Sequence, residues 1–145
     1  LLPSESEASF FDGKVTIKQK TSYPFTGETK FEIEAEMPFK LTAKAFSAYD
    51  VYIDGKPYNG ELLEINGTSS VTLAMNAKFK NDKFEDKYRF FSGDLLLCSD
   101  GREELRGNSS EITLLPIADF SVIPMEMLDN ARKRILFGDP SKIRW

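Results

Sequence analysis

Residues 21–36 read TSYPFTGETKFEIEAE: a turn-like YPFTG, then a glutamate at every second position from Glu32 to Glu36. Two readings compete. The carboxylates are a catalytic constellation, or they are the wet side of a strand. The residues between them decide the fold. Phe31, Ile33 and Ala35 fall on one side, and Lys30, Glu32, Glu34 and Glu36 on the other. Strict alternation of this kind marks a half-buried strand.

The period of two recurs along the chain. Lys14–Lys20 sets Val15 and Ile17 against Lys14, Thr16 and Lys18. Phe39–Phe46 sets Phe39, Leu41, Ala43 and Ala45 against Lys40, Thr42 and Lys44. Ser70–Phe79 sets Val71, Leu73, Met75, Ala77 and Phe79 against Thr72, Ala74, Asn76 and Lys78. Turn signals separate the runs: Asp12-Gly13, Thr26-Gly27, Asp54-Gly55, Asn66-Gly67, Ser92-Gly93, Asp100-Gly101 and Gly107-Asn108. The clearest hairpin is VYIDGKPY, because Asp-Gly tolerates the positive backbone angles of a type I′ turn. The tail differs. Pro124–Arg132 predicts one or two helical turns, with Pro suited to the first turn. KRILF, Lys133–Phe137, predicts a last strand. The sequence therefore predicts one all-β domain over residues 1–145. Its expected form is an antiparallel, jelly-roll-like β-sandwich of about 8–10 short strands, with a short helical segment near the C-terminus.

Composition sets the functional limits. A chain of 145 residues with 41% hydrophobic and 12% aromatic side chains suits one packed domain. The formal charge is −4 and no stretch concentrates Lys and Arg, which disfavours a nucleic-acid partner. No apolar run approaches the ~20 residues of a membrane span. There is no histidine and only one cysteine, Cys98. Ser-His and Cys-His pairs and histidine metal sites are thereby excluded. No cofactor or metal site is expected. Cys98 lies in the apolar run LLLC, where a buried structural thiol is the simple reading. The N-terminal LLPSESEASFF has no basic-then-apolar leader pattern and reads as cut from a larger multidomain protein. The compartment stays open.

Carboxyl pairs that cleave glycosidic bonds stand about 5–5.5 Å or 6.5–9.5 Å apart, so the ~7 Å repeat of a strand face permits catalysis by distance alone. Nothing in the sequence implies the apolar pocket that raises one carboxyl pKa for acid catalysis. The solvated face is the expectation, and no catalytic residue is assigned. Asp82, Glu85 and Asp86 in KNDKFEDKYR lack the glycine and the spacing of a calcium loop. Asn66-Gly-Thr68 and Asn108-Ser-Ser110 match the short glycosylation acceptor pattern. Tyr23, Phe25, Tyr49 and Tyr58 are the candidate contact residues, toward a neighbouring domain or a glycan. Packing beneath loops is the alternative for the tyrosines.

The order of several pieces resembles the region following the catalytic barrel in the β-L-arabinofuranosidase family of glycoside hydrolases. VTIKQKT (15–21), then YPFTG (23–27) and an alternating strand carry the likeness. VYIDGK (51–56), YRFFSGDLLLC (88–98) and ITLLP (112–116) continue it. The departures mark a divergent relative. LTAKAFSAYD (41–50) stands where the family has R-I-P-x-W, EINGTSS (64–70) where it has W-x-x-G-D, and Asp94 rather than Pro follows Gly93. The resemblance implies a non-catalytic accessory β-sandwich domain, packed against an upstream catalytic (α/α)6 barrel of the same polypeptide. In that family the cysteine nucleophile sits in a zinc site within the barrel. Cys98 does not match its motif, and no catalytic residue carries over. The alternative is a carbohydrate-binding module that holds plant-type glycans on surface aromatics.

Overall fold

The computed structural model describes residues 5–23, 28–44, 46, 49–76, 94–99, 110–117, 131 and 133–138. Among these residues the fold is all β, with no helix. Nine strands are described: β1 (Glu7–Phe10), β2 (Val15–Tyr23), β3 (Glu28–Ala43), β4 (Tyr49–Ile53), β5 (Lys56–Tyr58), β6 (Leu63–Met75), β7 (Asp94–Ser99), β8 (Glu111–Ile117) and β9 (Lys133–Phe137). The last strand has the bounds its sequence predicts. The helical turns expected over Pro124–Arg132 fall outside the described residues, apart from Ala131.

Strand β3 is the hub. The ladder runs β5-β4-β6-β3-β8-β7-β9, and β2 also pairs with β3, carrying β1 on its far side. The first half of β3 lies between β2 and β6, while residues 40–43 pair with β8. That last pairing is parallel, a departure from the antiparallel expectation. Parallel neighbours need a long crossover, and β3 and β8 are far apart in sequence. Thr42 and Thr113 face each other there, their hydroxyls 3.2 Å apart.

The sequence also predicts separate strands on either side of Met37-Pro38, and a turn at Asn66-Gly67. The structure merges the first pair into β3 and sets the glycine inside β6. Ala35 pairs with Gly67 and Phe39 with Ile65, so three residues of β3 face one of β6. Pro38 has no N–H to give a ladder and is tolerated at such a bulge. Gly67 takes φ +87, a conformation glycine adopts without a Cβ penalty. A bulge of this kind bends the strand that carries it, here β3.

The inward residues match the alternation. Val15, Ile17, Phe31, Ile33, Phe39, Leu41, Val71 and Leu73 are all buried. Phe31 of β3 and Phe137 of β9 meet edge to face, ring centroids 5.2 Å apart. In a flat sheet, the three ladder steps between these strands would hold them ~14 Å apart. The sheet therefore curls until β9 covers β3. At the same seam the Glu5 N–H donates to the Leu136 carbonyl at 3.1 Å, and the Lys133 ammonium donates to the Ser9 carbonyl over the Phe10 ring. At the other end, β5 is a three-residue edge carrying Lys56 and Pro57. Shortness, charge and a missing N–H all oppose pairing with a further strand.

Candidate functional site

The glutamate ladder lies on the outer face. Glu34 and Glu36 are exposed and Glu32 is half-buried. Glu32 stands across from Lys18 and Ser70, and Glu34 across from Thr16 and Thr68. The Lys20 ammonium is 3.5 Å from Glu32, and that of Lys30 is 3.6 Å from Glu28. Exposed pairs of this kind contribute little to stability. The face is a charge-mixed, solvated one.

The four candidate contact residues are not brought together. Tyr23 ends β2 opposite Glu28, and Phe25 lies outside the described residues. Tyr49 and Tyr58 sit on neighbouring strands of the β4–β5 hairpin and are each 3% exposed. This is the packed placement, with no open ring face. Cys98 lies in β7, opposite Thr113 and Arg134. Asp82, Glu85, Asp86 and Asn108 fall outside the described residues. Asn66 and Thr68 are exposed at the β6 corner. Among the described residues no group of three or more Asp, Glu or Cys side chains is placed to hold a metal ion.

The concave feature lies elsewhere. The two-residue turn Asp54-Gly55 closes the hairpin as its sequence predicts, with Asp54 at φ +51 and Ile53 paired to Lys56. β4 stops opposite Val71. Asp54 caps that end: its N–H donates to the Ser70 carbonyl at 3.0 Å, and its Oδ1 accepts from the Ser70 N–H at 2.9 Å. Residues 63–70 of β6 therefore continue past β4, without a strand beside them on that flank among the described residues. A cleft of about 370 Å³ occupies the vacated flank, between β5, the 59–62 segment and the first half of β6. Its inner surface comes from Ile53, Tyr58, Ile65 and Ser69, none more than 8% exposed. Its rim carries Asp54, Lys56, Glu61, Glu64 and Asn66.

The 59–62 wall is held tightly. The Tyr58 hydroxyl donates to the Glu61 carbonyl at 2.7 Å, with the Leu41 carbonyl farther off at 3.4 Å. The Asn59 N–H donates to Glu61 Oε2 at 3.0 Å. Gly60, at φ +89, packs so closely that an added Cβ would stand 2.6 Å from the Ala43 carbonyl oxygen. Burial first, then the nearby Glu61 carboxylate, push the Tyr58 hydroxyl up to about 12. Beside the cleft stands Leu62, 55% exposed, the one large exposed hydrophobic among the described residues.

This arrangement equips the cleft for recognition. Carboxylates accept hydrogen bonds, Lys56 donates, and Asn66 and Ser69 do both. A small concavity with a largely apolar floor and a few polar groups is the usual form of a ligand site. Little in the sequence forewarns of it. Its one signal is Ser69, a polar residue at an inward position of the alternation that continues as Val71 and Leu73.

Among the described residues the fold is all β, and the cleft is a ligand-sized concavity on it. No protein-family model matches the chain, and no curated protein matches it.

Proposed function

We propose that the chain is a non-catalytic accessory domain of a glycoside hydrolase, a jelly-roll-like β-sandwich packed against an upstream (α/α)6 barrel of the same polypeptide. One observation supports this reading above the others. The described parts of the pieces that resemble the arabinofuranosidase family fall, in chain order, on β2, β3, β4–β5, β7 and β8. Their inward residues, Val15, Ile17, Val51, Ile53, Leu95, Leu97, Ile112 and Leu114, are all core. What the likeness preserves is a scaffold. The curl that brings Phe137 onto Phe31 supports the two-layered reading. The segment Tyr23–Gly27 is the assigned contact with the barrel.

The polypeptide encoded immediately before Leu1 tests the proposal. It should contain the barrel, and barrel and domain expressed as separate chains should co-purify. Replacing both Tyr23 and Phe25 by alanine should weaken that association while the isolated domain stays folded. An upstream sequence without a barrel, or a barrel that ignores the domain, would refute the reading.

A further inference from the structure

We propose that the cleft between β5 and the first half of β6 binds one neutral, polyhydroxylated ring, as a free monosaccharide or as one unit of a glycan chain. The proposal stands apart from barrel packing and uses none of the surface aromatics.

Ser69 points to a ligand. It occupies a core-facing position on β6, opposite the fully buried Ile33. It is 8% exposed and lines the cleft, and its hydroxyl makes no hydrogen bond among the described residues. Lining the cleft, that hydroxyl is placed both to donate to and to accept from a ligand hydroxyl.

The rim narrows the chemistry. Three carboxylates, Asp54, Glu61 and Glu64, stand with one ammonium, Lys56. The excess negative charge opposes an anion. A cation meets Lys56, and finds Asp54 Oδ1 and Glu61 Oε2 already accepting backbone N–H groups. A hydroxyl both donates and accepts, so it complements Lys56 and the carboxylates alike. Ile53, Pro57 and Ile65 offer an apolar surface to the C–H face of a ring. The volume, about 370 Å³, lies near the lower end of ligand pockets, which fits a single ring.

The test is a nuclear magnetic resonance titration of the full 15N-labelled chain. Glucose, arabinose, galactose and their short oligomers are the probes, with glucosamine and glucuronate as charged comparators. Neutral sugars should give saturable shifts confined to residues 53–58 and 61–69. Ser69→Ala and Glu64→Gln should each weaken binding about tenfold with the unfolding midpoint retained. If Ser69→Ala fails to fold, Glu64→Gln at the rim carries the test. Tighter binding of oligomers identifies a glycan unit, and equal binding identifies the free sugar. Four results would overturn the proposal: no shifts in the cleft, shifts scattered over the surface, tighter binding of either charged comparator, or wild-type affinity in the folded variants.

Discussion

Replacing Tyr58 by phenylalanine removes one oxygen and leaves the ring in the core. The hydroxyl has a single proton. At 2.7 Å the Glu61 carbonyl receives it, and the Leu41 carbonyl at 3.4 Å is too distant to share it well. One net hydrogen bond contributes ~1 kcal/mol, so the variant should be less stable by ~1 kcal/mol at pH 8. For a domain of this size that lowers Tm by ~2–5 °C. The pH dependence is the sharper signature. Burial, with Glu61, raises the Tyr58 hydroxyl from its ordinary 10 to about 12. A folded-state value above the unfolded one stabilises fully below pH 10, and this contribution is lost as pH rises from 10 to about 12. Two units correspond to at most ~2.7 kcal/mol. Solvent screening at the cleft reduces that to ~1 kcal/mol. Urea unfolding of both proteins at pH 8, 10, 11 and 11.5 should show the gap near 1 kcal/mol at the start and close to zero at the end. The other tyrosines titrate equally in both proteins and cancel. A gap that stays constant across this range, or none at pH 8, would refute the buried, bonded hydroxyl.

Three further substitutions probe the same region and the core. Gly60→Ala places a Cβ against the Ala43 carbonyl at a positive φ, so a loss of ~2–3 kcal/mol is expected by urea denaturation. Asp54→Ala removes the acceptor of the Ser70 N–H at the hairpin turn and should cost ~1 kcal/mol. Asp54→Asn keeps an acceptor and should recover most of that loss in the same assay. Ser110, 1% exposed, buries a hydroxyl with no partner among the described residues. Ser110→Ala should leave thermal stability unchanged or raise it by ~1 kcal/mol, and a clear fall in Tm would reveal a bond to that oxygen.

Most of the strand scaffold can be read from alternation, because burial on one side of a pleated strand is a local property. Val15 and Ile17, Phe31 and Ile33, and Phe39 and Leu41 show it, each buried where the period of two puts it. The Asp54-Gly55 turn is local too. Register is not. Nothing near Met37-Pro38 reveals that β6 runs on past it and holds both halves of β3 in one strand. Nothing near Asn66-Gly67 reveals that the glycine faces Ala35 instead of closing a hairpin. Phe11 escapes for a related reason. Phe10 and Phe11 are adjacent, yet both are fully buried, which strict alternation forbids. The chain leaves β1 at Phe11 with φ +54, and the ring turns inward, 6.3 Å from that of Phe39. The cleft depends on where β4 stops along β6, a long-range pairing, and only Ser69 hinted at it.

The branched sheet and the cleft adjoin the same corner of β6. Three residues of β3 against one of β6 make β3 bend at the Pro38–Gly67 corner. Below the corner, β3 has β2 on its flank. Above it, the same flank takes β8, so the bend lets one strand serve two neighbours. β4 pairs with residues 71–75 of β6 and ends in the Asp54 turn. The Asp54-Gly55 turn reverses the chain there, so the flank of residues 63–70 carries no strand among the described residues. Glycine at 67 supplies the positive φ of this corner. Residues on both sides of it, Ile65 and Asn66 before and Ser69 after, line the concavity.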